Sequence, residues 1–365
     1  MSDQADIKSF REMAERFAKK ELEPAAVDMD NYPFVGFNEG ALSAARDTGL
    51  LNVILPEKHC GVGQGMEVLC EMLVELAKAD GSFASIVLMN AMAHDALCQW
   101  GAEGVQEKLA GKSIIGMPAY DLPTDIQTGV EAARDGDGWK LSGTAEYVAL
   151  APVADALIVP AKNKSGVSFF IVDVGAEGVK VSEPVVSLGL RGCPAADVIM
   201  EDAKLSADSL LCEEAEKDFP VLAGKFRPAA AALSVGVCEG SYNAAKAYAL
   251  ERYQAGSMII QHDMVRQMLV GMAVVAETGK ELVRSMARAV DSGRPWPISS
   301  AGLIMLSEQA ARATTDGVQC LGGYGYMEDY GQEKRMRDAK QIECIFGGAP
   351  AKRLELMEEI LRQEE

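Results

Sequence analysis

The sequence predicts an α+β protein of three parts: a helical segment over 1–113, a β-rich segment over 114–213 and a second helical segment over 214–365. Three observations predict it. Apolar residues recur at helical spacing up to about residue 113, as in Phe10, Met13, Phe17 and Leu22. From residue 114 they fall instead into short β-branched runs separated by glycines. After residue 213 the helical pattern returns and persists to the end.

In the first part, Ile7 to Leu22 reads as an amphipathic helix, and Glu39 to Thr48 as a second one ending at Gly49. Gly65 to Lys78 and Ser82 to Trp100 follow, then a short helix from Glu103 to Leu109 closing at Gly111. In the middle part, Trp139 to Gly143 alternates apolar and polar residues. Residues 155–160, 167–172 and 196–200 are apolar runs, and the glycines between them mark turns. These features predict an antiparallel barrel or sandwich. In the last part, Pro228 to Tyr253, Gln261 to Ala289, Pro297 to Leu321 and Ala349 to Arg362 read as helices.

Composition narrows the function. The net charge is −19, which argues against nucleic-acid binding, because phosphate contacts need basic patches. Docking on an anionic membrane is disfavoured for the same reason. No uncharged apolar run reaches the length of about 18 residues expected of a membrane span, and the start lacks the plan of a signal peptide. The eight cysteines are scattered and form no CxxC pair, which suits reduced thiols and a cytoplasmic protein. Three histidines make no metal-ligand cluster, so no metal is expected.

The most informative stretch is Val318-Gln319-Cys320-Leu321-Gly322-Gly323-Tyr324-Gly325-Tyr326, with Arg337-Asp338-Ala339-Lys340 after it. Two adjacent glycines free backbone N–H groups for close approach by a ligand. Upstream lie Asp137-Gly138-Trp139-Lys140-Leu141-Ser142-Gly143, Leu188-Gly189-Leu190-Arg191-Gly192 and Tyr248-Ala249-Leu250-Glu251-Arg252. In this order and spacing, the strings resemble the acyl-CoA dehydrogenase family over nearly the whole chain. The resemblance implies the acyl-CoA dehydrogenase fold: an N-terminal helical domain, a middle β-barrel and a C-terminal four-helix bundle. It implies FAD as cofactor, an acyl-CoA substrate and an electron-transferring flavoprotein as electron acceptor. It also implies a homodimer or homotetramer with the FAD held between subunits; a heteromer is the alternative.

By the same resemblance, Arg252, Gln319, Gly322 and Gly323 meet the dinucleotide across the subunit contact. Arg252 alone also fits a surface ion pair. Tyr147 falls at the aromatic that walls the flavin, with plain barrel packing as the alternative. Thr124, in the flavin-side loop, and His262 are further cofactor-binding candidates.

The chain departs from the family where the chemistry should be. The family's glutamate base removes the α-proton while hydride leaves the β-carbon. Counting nine residues from Arg337 reaches Phe346, and the base position used by some other members falls on Phe226. Phenylalanine accepts no proton, so both read as pocket walls. The threonine near the flavin becomes Ala149, and the flavin-side loop is reduced to Ala119-Tyr120-Asp121-Leu122-Pro123-Thr124-Asp125. If a base is needed, Asp95 is the leading candidate, since it lies in a mostly apolar helix where an unpaired carboxylate is costly. An Asp on the helix surface near His94 is the plainer reading. Asp121 and Glu343 are weaker candidates.

Some alicyclic relatives carry an Asp on that helix, which suggests a cyclohexane- or cyclohexene-carboxyl-CoA-type thioester and 1,2- or 1,4-dehydrogenation. Two alternatives stay open. One is a subunit that completes the flavin site of a heteromeric dehydrogenase. The other is a non-oxidative lyase or desulfinase-like enzyme on the same fold.

Overall fold

The computed structural model describes residues 4–31, 36, 38–109, 114–293 and 299–364. The N-terminal part comprises α1 (Gln4–Phe17), α2 (Glu39–Asp47), α3 (Met66–Ala79), α4 (Gly81–Trp100) and α5 (Glu103–Leu109). The expected helix to Leu22 is α-helical only to Phe17 and continues as a π-wound turn, Ala18–Leu22. The expected closure of α5 at Gly111 lies outside the described residues. Helix α4 is apolar on every side and is buried along most of its length, as such a pattern requires.

The middle strands are β1 (Ile115–Gly116), β2 (Gly129–Asp135), β3 (Gly138–Ala149), β4 (Ala156–Asn163), β5 (Gly166–Asp173), β6 (Val179–Val181), β7 (Ala195–Leu205) and β8 (Leu210–Cys212). Among the described residues they form one sheet in the order β6-β7-β3-β2-β4-β5-β8, with β1 beside β4. Most pairings are antiparallel as expected, but β4 pairs parallel with β1 and β2. Leu157, Val159, Phe170 and Val172 build the sheet's own core. Their neighbours Ile158, Phe169 and Ile171 point the other way and join the helical core. Strands β4 and β5 are therefore buried on both faces, which is why they read as unbroken apolar runs.

The C-terminal part holds α6 (Ala215–Glu251), α7 (Asp263–Asp291), α8 (Ser299–Leu321), α9 (Gln332–Ile342) and α10 (Ala349–Glu364). A short hairpin, β9 (Tyr253–Gln254) with β10 (Ser257–Met258), links α6 to α7. Helix α6 starts thirteen residues before the expected Pro228 and contains both Pro220 and Pro228. Each proline removes one backbone donor, but packing of α6 against α3, α7, α8 and α9 carries the helix through. It is long and apolar enough to cross a membrane by composition, yet 83% of its most apolar window is buried inside the protein. The expected start of α8 at Pro297 lies outside the described residues. Helix α9 holds the Arg337-Asp338-Ala339-Lys340 string and shows weak apolar periodicity.

Three parts of the chain meet at one buried ion cluster. Lys334 Nζ on α9 donates to Asp80 at 2.7 Å and to Asp338 at 2.6 Å. Asp80 also caps α4 by accepting from the Ser82 and Phe83 N–H groups. Asp338 also accepts the Leu190 N–H at 2.6 Å, which ties in the loop before β7. The fit needs Gly189, because a Cβ there would lie 2.2 Å from the Arg337 carbonyl oxygen. Arg337 extends the cluster to Asp30, Glu333 and the Leu188 carbonyl. Burial pushes Lys334 toward the neutral amine, but Asp338 and Asp80 outweigh it and raise its pKa. Lys334→Met leaves two carboxylates buried without their cation; it should lower stability by about 3–5 kcal/mol, read from urea unfolding midpoints.

Candidate functional site

The turn after α9 carries Phe346 in a left-handed backbone conformation, φ +60°. Lys352 on α10 holds this turn by donating from Nζ to the carbonyls of Glu343 (2.7 Å) and Ile345 (3.1 Å). Burial of Lys352 pushes its pKa down to about 8. The Phe346 N–H donates to the Ala119 carbonyl at 2.9 Å. A Cβ on Gly347 would lie 3.0 Å from Leu122. The flavin-side loop and the usual base position are thus strapped together at two successive residues. Phe346 and Phe226 are both fully buried, in the same apolar core.

Tyr147 sits at a bulge in β3, where the register against β7 shifts between Ala145 and Val148. Its φ is +53°, its N–H donates to Asp197, and its hydroxyl accepts from Gln341 on α9 at 3.0 Å. The Tyr120 ring meets it edge-on, with centroids 4.9 Å apart. Burial raises the pKa of both phenols. Ala149 offers no hydroxyl, and its N–H is bonded to the Met117 carbonyl at 3.2 Å. Thr124 is exposed and adjoins Glu355, which pairs with Arg227.

The carboxylates sort by their partners. Asp95 is not a lone carboxylate among apolar groups. Lys225 Nζ contacts both of its oxygens at 2.7 and 2.8 Å, and Gln99 donates to it at 2.6 Å. The pair joins α4 to α6 just before Phe226. Glu343 is bonded to Lys340 at 2.8 Å. Asp121 is half-buried and has no ion pair among the described residues. Burial and then the nearby Asp125 raise its pKa to about 6.

A second group lies where α6 and α8 end. Arg252 is exposed, with its guanidinium 5.8 Å from the centre of the Tyr324 ring and no ion pair among the described residues. Gln319 is exposed at the end of α8. Cβ atoms at Gly322 and Gly323 would meet nothing within 4 Å. His262 bonds the Gln254 carbonyl through a ring nitrogen at 3.0 Å, bracing the hairpin. Two glycines with open space beside them and an exposed guanidinium without an ion pair among the described residues leave room for a pyrophosphate to approach, so these residues fit the dinucleotide half of FAD. At the other group, Tyr147 offers a flat ring, but without the usual hydroxyl and base. Sequence reasoning missed Gln341, Lys225 and Lys352 as site residues. Nothing in a helical or turn pattern marks a lysine whose partners lie more than a hundred residues away, as for Lys225.

The chain matches the profiles of the acyl-CoA dehydrogenase N-terminal domain over residues 4–116, the middle domain over 121–203 and the C-terminal domain over 223–361. It is 29% identical to a cyclohexane-1-carbonyl-CoA dehydrogenase of Geobacter metallireducens, over 98% of each chain. It is 30% identical to a probable acyl-CoA dehydrogenase of Bacillus subtilis, over 96% of this chain and 97% of the relative. Its fold is similar to that of butyryl-CoA dehydrogenase from Megasphaera elsdenii, with TM-score 0.90, 22% identity and 99% of each chain covered.

Two predictions follow from this geometry. Gly323→Val should leave the thermal unfolding temperature unchanged and weaken FAD binding at least about tenfold, near 1.4 kcal/mol, read by flavin fluorescence titration. A carboxyl whose folded pKa is raised loses stability as pH rises through that value. Asp121→Asn should therefore stabilise the protein at pH 7.5, by about 1–2 kcal/mol once partial exposure is discounted. That gain should vanish below about pH 4, where both states carry a protonated acid.

Proposed function

The chain belongs to the acyl-CoA dehydrogenase family, whose members are FAD-dependent oxidoreductases, and on that premise we propose that it dehydrogenates the CoA thioester of a compact alicyclic acid. The observation that carries the reading is the pair of fully buried phenylalanines, Phe346 and Phe226, at the two customary base positions. On this reading the two rings would wall the acyl site, shortening and flattening the space left for an extended chain. The likeness to a relative named for cyclohexane-1-carbonyl-CoA supports the same substrate class.

When bound, FAD supplies the acceptor for the two electrons and the hydrogen lost from the β-carbon. Arg252, Gln319, Gly322 and Gly323 would hold its dinucleotide half, and Tyr147 would wall its ring. Thr124 and His262 remain outer candidates, His262 acting by bracing the hairpin after Arg252. The buried Lys352 holds the turn that presents Phe346 to the pocket. Electrons then pass to an electron-transferring flavoprotein, and the subunits pair as a homodimer or homotetramer.

Asp95 stays the sequence's candidate for the proton acceptor. Its contact with Lys225 supports a second role, as a clamp that fixes α4 against the segment carrying Phe226. Both of its oxygens are already engaged, by Lys225 and by Gln99. Measuring flavin reduction in Asp95→Asn separates the roles: a loss of about 10²–10⁴-fold marks the acceptor, whereas a change below tenfold with lowered stability marks the clamp.

A second reading is favoured by the split quality of the two groups. The outward-facing cradle at Arg252 and Gly323 is well formed, while Ala149 and Phe346 leave the ring end poor in polar groups. This chain would then complete a partner's FAD site. Absorbance of the purified chain distinguishes the readings. Under the first, it is yellow and is bleached anaerobically by cyclohexane-1-carbonyl-CoA faster than by butyryl-CoA. A colourless chain that gains flavin only with a partner overturns it, as does faster bleaching by the straight-chain thioester.

A further inference from the structure

We infer that Asp121, in the flavin-side loop, is the carboxylate that takes the substrate's α-proton, in place of the missing glutamate at residue 346. The inference rests on the dehydrogenase reading above and deepens it. Three observations carry it.

The first is position. The loop is anchored to the turn after α9 on either side of Asp121. Ala119 accepts the Phe346 N–H at 2.9 Å. Leu122 packs on Gly347, where a Cβ would lie 3.3 Å from the Leu122 Cα. With Cα atoms 3.8 Å apart along the chain, the Asp121 Cα lies within about 9 Å of the Gly347 Cα. The carboxyl group has moved from one strapped segment to the other while staying at the same junction.

The second is the comparison with its competitors. Asp95 is held by Lys225, Glu343 by Lys340, and Glu355 by Arg227. Each of those carboxylates is already engaged by a cation. Asp121 has no such cation among the described residues. The charged group that acts on it is Asp125 of the same loop. Across the junction, the turn after α9 offers Phe346 and Gly347, which are uncharged, and the Cys344 thiol, whose pKa burial raises. On the side of α10, Glu355 adjoins Thr124 and is engaged by Arg227. Tyr120 and Tyr147 present phenols kept neutral by burial.

The third is chemistry. A desolvated carboxylate with no counterion suits proton abstraction near neutral pH, because it is ionised there and still basic. A carboxylate oxygen of Asp121 would bond the α-proton. The Cα–H electron pair would become the Cα–Cβ double bond as the β-hydrogen leaves with its own pair. The acceptor of that pair is the FAD on which the family depends.

The test uses the FAD-loaded protein, wild type and Asp121→Asn, with cyclohexane-1-carbonyl-CoA. Asp121→Asn should keep its flavin spectrum and still bind the thioester, while anaerobic flavin reduction falls about 10²–10⁴-fold. Wild-type reduction should rise as pH passes through about 6, and that limb should disappear in the variant. An independent readout is deuterium exchange into the substrate's α-position in D₂O, followed by NMR, which should be lost in parallel. Reduction by Asp121→Asn at the wild-type rate, or retention of the pH limb, overturns the inference and leaves the dehydrogenase reading standing. A wild type that no alicyclic thioester reduces overturns both. Should the variant lose FAD, the wild-type profile decides: a flat profile from pH 5 to 8 overturns the assignment.

Discussion

The architecture depends on one buried contact, the ammonium of Lys334 held between Asp80 and Asp338. Each carboxylate also serves a second element. Asp80 starts α4, and Asp338 receives the backbone of the loop before β7. A helix from each helical part and a loop from the sheet are thereby fixed at one point. A buried ion pair contributes less to net stability than its contacts suggest, since desolvation offsets much of the attraction. Its effect is registry: no shifted packing offers Lys334 two carboxylates at once.

That registry sets α4 against α9. Helix α4, capped by Asp80, carries Asp95 further along, while α9 carries Lys334 in its first turn and leads into the turn bearing Phe346. The same helix α9 sends Gln341 to the Tyr147 hydroxyl, so this tyrosine of the sheet is held by an element of the C-terminal part. Lys352 then holds the turn from behind. The site is a junction of three parts, and its polar groups are satisfied mostly by partners distant in sequence.

Much of this was legible in the residues. The change from helical to alternating to helical pattern marked the three parts, and the glycines after Leu321 pointed to a place open to close approach, as the free space beside Gly322 and Gly323 allows. The expectation that phenylalanine stands at the family's base position, residue 346, likewise needs only a count from Arg337. The errors have physical causes. Pro228 read as a helix start, because proline fits the first turn best, yet packing on four neighbouring helices carried α6 through it. Asp95 read as a carboxylate among apolar groups, because its partner Lys225 lies 130 residues away.

The sequence by itself determined the order of the parts and the class of the fold, since these follow from local periodicity and from residue identity. Only the tertiary structure decided which carboxylate is neutralised and which stands alone. Asp95 and Asp121 look alike in sequence; Lys225 quenches the one, and burial without a cation raises the pKa of the other. Charge environment is a property of what packs nearby, and no local pattern encodes it.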